Sequence, residues 1–379
     1  MKKKILFLTH ESALSGAPRS LSYFIQWIKD SQSDIEVTTL SLKDTLDSPS
    51  QFEVLSDKYY DFSSFSKNPT YSFIARIKRK LFSIPILSPQ EKLIHQLSLA
   101  EYDLIYANTV STLELGIRLK KNFKCVPLLL HVHEMRTAIE QLSANFKEQS
   151  KEVDGFIAAS ELVKSHLVTF FDVPAKNITR VYECSDVPEN VTKSNGLTNH
   201  GITKVIMVGA AYWAKGDDLF ILVANEVVKR DNSFHFYWLG SQSKERETVN
   251  RADIEKLDLE KNVHFLSYTP DPLKVVSDMD IFALTSRSDS FPLAAIEAGL
   301  LGLPIVCFDK ASGITEIIEK GGGNVVSYLS IEEMADAIIH LKNNEATYHL
   351  YSEQVKQLFK SCKPDVISQE LFNVCFQYI

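Results

Sequence analysis

The sequence has few cysteines, and none of them stands close to another. Only five occur among 379 residues, and no two form a C-x-x-C pair. An odd, scattered set of this size predicts neither a disulfide framework nor a structural zinc site, and it fits a reducing compartment. We therefore expect a cytoplasmic protein.

Long apolar runs and an excess of basic charge are also missing. No run approaches the ~20 apolar residues of a transmembrane helix. The apolar stretch Ile5–Thr9 runs directly into His10 and Glu11, so it predicts a first strand rather than a signal peptide. The net charge of −7 argues against a nucleic-acid partner, because such proteins usually carry a basic surface.

Two common phosphate-binding glycine motifs are absent. Gly16 follows the first predicted strand alone rather than within G-x-G-x-x-G, which disfavours an NAD dehydrogenase. Lys215 stands between Ala214 and Gly216, where a Walker A loop needs glycine before the lysine and serine or threonine after it. Any nucleotide site must therefore be built differently.

The chain does contain a regular alternation of short apolar runs and helical patterns. This alternation predicts an α/β fold with parallel sheets, and the length favours two doubly wound, Rossmann-like domains. The alternation pauses at residues 178–181, and the polar stretch 185–203 reads as a linker. We expect an N-terminal domain over 1–190, a C-terminal domain over 191–363, and a last helix over 364–379 that packs on the first domain. Ligands of such sheets bind beyond the carboxyl ends of the strands, so we expect the site in a cleft between the domains.

The strongest chemical pattern is an acidic segment that follows a predicted strand. It runs Ser286-Arg287-Ser288-Asp289-Ser290-Phe291-Pro292-Leu293-Ala294-Ala295-Ile296-Glu297. Pro292 suits the first turn of a helix, whose N-terminal N–H groups attract an anion. Asp289 precedes that helix, and Glu297 lies inside it among apolar residues, where a carboxylate needs hydrogen-bond donors. A ribose diol would supply two donors, and a neighbouring backbone group or arginine would serve as well, so the residues alone leave both open.

This segment resembles the acidic signature of the retaining family 4 glycosyltransferases, which have the GT-B fold. Shorter motifs in matching order extend the resemblance over nearly the whole chain. They are Ser15-Gly16-Ala17-Pro18, Tyr106-Ala107-Asn108-Thr109, His131-Val132-His133-Glu134, Val208-Gly209 through Lys215-Gly216, and Ser312-Gly313-Ile314-Thr315-Glu316. The resemblance implies a glycosyltransferase that needs no metal and takes a nucleoside diphosphate sugar as donor.

The resemblance also implies roles for individual residues. Glu297 would hold the donor ribose, and Asp289 with the backbone at Phe291, Pro292 and Leu293 would contact the transferred sugar. Two positions depart from the family pattern. Asp289 replaces the usual glutamate, which shortens its reach, and Ala210 replaces an arginine that would contact the diphosphate.

Three further candidates each have a functional and a structural interpretation. Lys215 would neutralise charge on the leaving diphosphate, or it is a solvated loop lysine. Gly16 and the neighbouring Ala17 would let backbone approach a phosphate or acceptor, or they form an ordinary turn. His133 ends a predicted strand and would lie near the transferred sugar by the resemblance, although a histidine there is more often structural. A metal site built from His131, His133 and Glu134 is the weaker alternative.

A basic segment with aromatic neighbours interrupts the alternation between residues 56 and 92. Residues 73–82 either contact an anionic membrane as a peripheral site or form a solvated helix. Two tryptophans, Trp213 and Trp238, together with residues 264–268, would frame the nucleobase or belong to the core.

The function predicted from the sequence is transfer of a sugar to a glycan or lipid-linked glycan, with retention of configuration. The resemblance points to polysaccharide or lipopolysaccharide assembly. A GT-B-like epimerase or hydrolase of nucleotide sugars is one alternative. An inactive glycosyltransferase-like partner subunit is the other, and Ala210 is the residue that suggests it.

Overall fold

The computed structural model describes residues 2–13, 15–43, 49–66, 88–193, 197, 201–267 and 269–379. The chain divides into two units. The first contains Met1–Ala159, Val163–Val181 and Ile367–Ile379, and the second contains Ser160–Leu162 and Tyr182–Val366. Within the described ranges, no helix combines the length and apolar character needed to cross a membrane. The predicted basic segment 73–82 lies outside the described residues.

The first unit is built on a seven-stranded parallel sheet in the order β3-β2-β1-β4-β5-β6-β7. Its strands are β1 (Lys3–Thr9), β2 (Ile35–Ser41), β3 (Lys58–Asp61), β4 (Leu104–Asn108), β5 (Leu128–Val132), β6 (Gly155–Ala158) and β7 (Ile178–Arg180). Its helices are α1 (Gly16–Ser31), α2 (Gln51–Leu55), α3 (Pro89–Ser98), α4 (Leu113–Asn122), α5 (Arg136–Leu142), α6 (Phe146–Gln149) and α7 (Glu161–Phe171).

The second unit is built on a six-stranded parallel sheet in the order β10-β9-β8-β11-β12-β13. Its strands are β8 (Thr203–Val208), β9 (Phe234–Leu239), β10 (Val263–Leu266), β11 (Ile281–Leu284), β12 (Ile305–Phe308) and β13 (Gly323–Val326). The helices that follow are α8 (Asp217–Arg230), α9 (Lys244–Lys256), α10 (Pro272–Ser277), α11 (Leu293–Leu301), α12 (Thr315–Ile318), α13 (Ile331–Asn343), α14 (Glu345–Leu358) and α15 (Pro364–Phe376).

The predicted α/β class with two parallel sheets is confirmed. Central strands such as β4, β5 and β11 are buried along their whole length, as expected for a sheet covered on both faces. The predicted pause at residues 178–181 is wrong, because β7 forms there and pairs with β6 at the sheet edge. A three-residue edge strand is too short to show a period in the sequence.

The C-terminal residues 367–379 belong to the first unit. In α15, the ring of Phe372 lies 5.6 Å from that of Trp27 in α1, measured between centroids. The hydroxyl of Tyr378 lies so close to Gly155 that a β-carbon there would approach it to 2.0 Å. Before these C-terminal residues, the last part of the chain that belongs to the first unit ends at Val181. The division into an acceptor-side and a donor-side domain stays a prediction.

Each sheet has one point where its strand order reverses. In the first unit this point lies between β1 and β4, and in the second it lies between β8 and β11. In each sheet, the connections that follow the two strands at this point leave in opposite directions. They open a crevice at the carboxyl ends of those strands, where ligands of such sheets bind. The predicted site residues follow these strands or their neighbours in both units.

Candidate functional site

The crevice of the second unit contains a close ion pair. Lys215 lies in the loop after β8, and Asp289 lies in the loop after β11. The ammonium Nζ donates to Asp289 Oδ2 at 2.5 Å, and the two side chains are 18% and 10% exposed. The hydroxyl of Ser286 donates to the same carboxylate oxygen at 3.1 Å. Two residues 74 apart in the sequence therefore meet at the place where a ligand is expected.

Glycine makes this close approach of the two loops possible. Gly216 starts helix α8 with φ of 72°, in the left-handed region, and a β-carbon there would come within 2.1 Å of the carbonyl oxygen of Thr285. The backbone after β8 thus packs directly on the end of β11. Because Gly216 follows Lys215, this packing fixes the direction of the lysine.

The charge on Lys215 is maintained by its partner. Burial is the largest single influence and opposes the charged form, but the attraction of Asp289, the attraction of Tyr212 and the hydrogen bond to Asp289 together outweigh it, so the pKa of Lys215 is raised above its ordinary value of 10.5. Lys215 therefore stays an ammonium across the physiological range. Ala210, in the position where the resemblance expects arginine, is exposed and offers no charge.

Arg287 already has partners in the same loop region. Its guanidinium donates to both carboxylate oxygens of Asp218, each at 2.7 Å, and to the carbonyl oxygen of Trp213 at 3.1 Å. Such a two-point pair holds the guanidinium in a fixed orientation. Arg287 therefore supports the loop between β8 and α8 in this arrangement.

Helix α11 starts immediately after this loop with its first N–H groups uncapped. Pro292 stands at the N-cap with extended backbone (ψ of 126°), and helical residues begin at Leu293, so its predicted place in the first helical turn is wrong by one residue. Within the described chain, no side chain caps this helix end and its first turn contains no acidic residue. A helix N-terminus in this condition attracts an anion.

Glu297 lies in the middle of α11 and is 5% exposed. Its carboxylate Oε1 accepts a 2.7 Å hydrogen bond from the hydroxyl of Ser185, which is itself buried. Both residues belong to the second unit. The sequence left open which group donates a hydrogen bond to this carboxylate, and the structure shows that Ser185 is one such donor.

A second contact from the same segment supports the start of α11. The ring of Tyr182 stacks on that of Phe291, with centroids 4.6 Å apart and an angle of 19° between the planes. Tyr182 and Ser185 therefore contact the two ends of the segment 291–297. Sequence reasoning missed both residues, because the polar stretch that starts at Ser185 reads as a linker and nothing local reveals its buried partner.

We predict that Ser185→Ala lowers the stability of the protein. The change removes a hydrogen bond to a buried carboxylate, which contributes about 1.5–3 kcal/mol. Thermal unfolding followed by circular dichroism should show a midpoint lower by a few degrees. Ser361→Ala is the matched control, because Ser361 is exposed and its hydroxyl contacts only local neutral groups, the carbonyl oxygen of Leu358 and Sγ of Cys362, among the described residues. Equal midpoints for the two variants would contradict the prediction.

The first unit brings its own predicted residues together around Asn108, at the end of β4. The amide Nδ2 of Asn108 donates to the carbonyl oxygen of Ala17 at 3.1 Å, and its Oδ1 lies 2.7 Å from Nε2 of His133. Since Oδ1 can only accept, His133 carries a proton on Nε2. Gly16 begins helix α1, and no described atom would lie within 4 Å of a β-carbon there, so its surroundings are open.

The backbone beside Asn108 is strained. Thr109 has φ of 99°, which is rare for a β-branched residue. Glu134 braces this turn, since its carboxylate accepts from the N–H groups of Val110 and His133 at 3.1 and 3.0 Å. Burial raises the pKa of Glu134. Strain of this kind persists only where the surroundings hold it, and it is common at binding sites.

The two histidines after β5 face the same way, as their alternating positions predict. The ring centroids of His131 and His133 lie 3.9 Å apart. His131 is buried, and its Nδ1 lies 2.7 Å from the hydroxyl of Tyr106. His131 therefore supports His133 from the core side.

The two predicted nucleobase tryptophans differ in position. Trp238 is fully buried and donates its Nε1–H to the carbonyl oxygen of Gly209 at 2.8 Å, so it belongs to the core and supports the loop after β8. Trp213 is 53% exposed. A cavity of about 550 Å³ lies at the carboxyl ends of β9 and β10 and is lined by residues that include Gly240, Gln242 and Ser267. Tyr268 lies outside the described residues.

Comparisons with known proteins connect this geometry to a family. Residues 191–358 match the family model of glycosyl transferases group 1. The chain is 31% identical over 203 residues to the poly(ribitol-phosphate) alpha-N-acetylglucosaminyltransferase of Staphylococcus aureus. These matched residues make up 52% of this chain and 38% of the relative. It is 31% identical over 124 residues to the poly(glycerol-phosphate) alpha-glucosyltransferase of Bacillus subtilis, covering 32% of this chain and 18% of the relative. The chain thus spans about half or less of the length of these curated relatives.

Solved structures show the same fold over the whole chain. HepE of Anabaena in complex with UDP has a TM-score of 0.76 at 18% identity and covers 100% of both chains. TarM has a TM-score of 0.74 at 16% identity and covers 99% of both chains. Residues 191–358 thus resemble the glycosyl transferases group 1, and the two parallel sheets of the chain have the GT-B fold.

Proposed function

We propose that the protein transfers a sugar from a nucleoside diphosphate sugar to a glycan or lipid-linked glycan acceptor, with retention of configuration. The observation that carries this proposal is the Lys215–Asp289 pair beside the uncapped start of α11, at the point where the second sheet reverses its strand order. Two relatives are named for transfer of a sugar to a polymer, which supports the reaction class.

The second unit has the groups that a donor requires. The diphosphate binds Lys215 and the N–H groups at the start of α11, which are the available positive charges there. Asp289 and the backbone of Phe291, Pro292 and Leu293 contact the transferred sugar. Glu297 accepts hydrogen bonds from the ribose, and the cavity beyond β9 and β10 receives the base.

Charge moves in one direction during the proposed reaction. As the bond from the sugar to the diphosphate breaks, negative charge grows on the phosphate oxygen next to Lys215, and positive charge grows on the sugar ring. A fixed ammonium and fixed N–H groups stabilise that change without reorganisation. The acceptor hydroxyl loses its proton to a phosphate oxygen of the leaving group and attacks the same face.

The acceptor groups are proposed in the first unit. Gly16 and Ala17 provide open backbone at the start of α1, and His133 is held by Asn108 with a proton on Nε2 that faces Asn108. No metal takes part in this proposal, so transfer should continue in EDTA. Peripheral contact with a membrane through residues 73–82, and a cytoplasmic location, belong to the same proposal.

A thermal-shift screen with UDP-, GDP-, ADP- and dTDP-sugars tests the donor class. A ligand that binds only the folded state stabilises it, so the correct donor at 100 times its Kd should add about 2.7 kcal/mol and raise the melting temperature by several degrees. The UDP held by the Anabaena neighbour makes UDP-sugars the first arm. No shift with any nucleotide sugar would overturn the proposal.

Turnover then separates the proposed transferase from its alternatives. Release of free sugar or of an epimer in the absence of acceptor would indicate a hydrolase or epimerase. Tight binding without any product would indicate an inactive subunit, the alternative that Ala210 suggests.

A further inference from the structure

A second group of cations lies in the second unit, away from the start of α11. It lines a cavity of about 280 Å³ bounded by residues 187–193, by the last residues of α11, and by the segment 356–363. Four lysines line it, Lys193, Lys356, Lys360 and Lys363, against one glutamate, Glu189. We propose that this lysine pocket binds a phosphate group, carried either by a soluble molecule or by a lipid headgroup.

Few of these lysines have a close carboxylate partner among the described residues. Lys356 and Lys360 are four residues apart on neighbouring turns, where like charges repel. Within the described part of the chain, neither forms an ion pair, and the ammonium of Lys360 donates only to the neutral amide oxygen of Gln357 at 2.9 Å. Lys363 lies 3.8 Å from a carboxylate oxygen of Asp186, a loose contact that leaves its other donors available. An anion among these three ammonium groups would remove the repulsion.

Lys193 differs from the other three because its stem is inserted into the fold. Its ammonium contacts the hydroxyl of Tyr348 and lies 4.8 Å from the centroid of that ring. Burial, with a smaller contribution from the nearby Lys356, lowers the pKa of Lys193 to about 8, although the carboxylate of Asp280 acts in the opposite direction. A bound anion would favour the ammonium, so binding near pH 8 should take up a proton.

The chemistry of the lining selects phosphate over other anions. Lysines provide donors without acceptors, and a phosphate provides acceptors on several sides, so two or three ammonium groups can bind one group at once. The floor is apolar and buried, formed by Leu300 and Leu301. An apolar floor below a cationic rim also accommodates the carbon chain next to a phosphate ester.

The pocket touches the elements that position Glu297. Leu300 and Leu301 lie three and four residues after Glu297 on the same helix, and Val187 lies two residues after Ser185. A ligand here would therefore contact the two segments that carry Ser185 and Glu297. This site nevertheless stands apart from the proposed donor site and does not depend on it.

Titration calorimetry with sodium pyrophosphate tests the soluble arm. The variants are Lys356→Gln/Lys360→Gln, which changes the pocket, Lys215→Ala, which removes the proposed donor contact, and Lys320→Gln, which changes an exposed lysine elsewhere in the unit. In titrations that contain excess UDP to fill the proposed donor site, we expect binding of pyrophosphate by the wild type, by Lys320→Gln and by Lys215→Ala, with affinity at least tenfold weaker in the double variant. At pH 8, the measured heat should depend on the ionisation enthalpy of the buffer, because Lys193 takes up a proton.

Vesicles test the lipid arm. Sedimentation with phosphatidylglycerol vesicles, compared with phosphatidylcholine vesicles, should retain the wild type and release the double variant if the phosphate belongs to a lipid. Unchanged affinity of the double variant in both arms would overturn the lysine pocket. Loss of pyrophosphate binding in Lys215→Ala alone would overturn it too, since the bound diphosphate would then occupy the donor site.

Discussion

Lys215→Ala should reduce the turnover number for sugar transfer by about 100–1,000-fold, the size of effect seen when one group that stabilises developing charge is removed. Ala210 contributes no charge near the diphosphate, and the guanidinium of Arg287 is paired with Asp218. We therefore expect Lys215 to provide most of the side-chain charge that stabilises the leaving diphosphate. The measurement is a steady-state rate with the donor that gives the largest thermal shift. A turnover number within threefold of the wild type would remove Lys215 from the proposed mechanism.

The control for Lys215→Ala must separate activity from folding. Removing the ammonium leaves the mostly buried carboxylate of Asp289 without its charged partner and with the Ser286 hydroxyl as a side-chain donor, so the single variant should also be less stable. The double variant Lys215→Ala/Asp289→Asn removes the unpaired charge. We expect the double variant to regain most of the lost melting temperature and to remain inactive.

The pH dependence of Lys215 follows from the direction of its pKa shift. The folded pKa lies above the ordinary value of 10.5, so the stabilisation from the ion pair is complete below 10.5 and is lost only as the pH rises through the raised value. Any fall of the rate between pH 7 and pH 10 must therefore come from another group.

Glu297→Ala should weaken binding of UDP by about 10–100-fold, because a charge-assisted hydrogen bond to a ribose hydroxyl contributes about 1.5–3 kcal/mol. The carboxylate is buried and accepts a hydrogen bond from Ser185, and a carboxylate can accept several hydrogen bonds at once. Titration calorimetry with UDP measures the effect directly and does not require an acceptor.

A deoxy analogue makes the test of Glu297 specific. If the carboxylate binds the ribose, the wild type should bind 2′,3′-dideoxy-UDP more weakly than UDP, and Glu297→Ala should bind the two alike. Glu297→Gln is the conservative control, since its amide oxygen can still accept from Ser185 while the charge is lost. A full preference of Glu297→Ala for UDP over the deoxy analogue would mean that Glu297 supports the helix and does not touch the ribose.

The fold could be predicted from the sequence because its signals are local. Short apolar runs followed by helical patterns predict parallel strands, and the chain forms two such sheets. Predictions failed where elements are short, as for β7, or where one residue decides a helix start, as for Pro292. The roles assigned to His133, Lys215, Asp289 and Glu297 remain predictions that the experiments above test.

The candidate site was only partly accessible to sequence reasoning. Asp289 and Glu297 are separated by seven residues, and Glu297 stands in an apolar helical pattern, so the sequence places Glu297 inside a helix and Asp289 just before it. The 2.5 Å pair of Lys215 with Asp289 cannot be, because it depends on the loop after β8 packing against the end of β11.

The sequence by itself determined the α/β class, the acidic helix and the lysine that follows a strand, because each depends on residues close together in the chain. Only the tertiary structure decided the partners of these residues: Ser185 for Glu297, Tyr182 for Phe291, and Asn108 for both Ala17 and His133. The physical reason is that a hydrogen bond or ring contact between distant segments leaves no periodic trace in either segment. Such contacts form where strand order brings two loops to the same edge of a sheet.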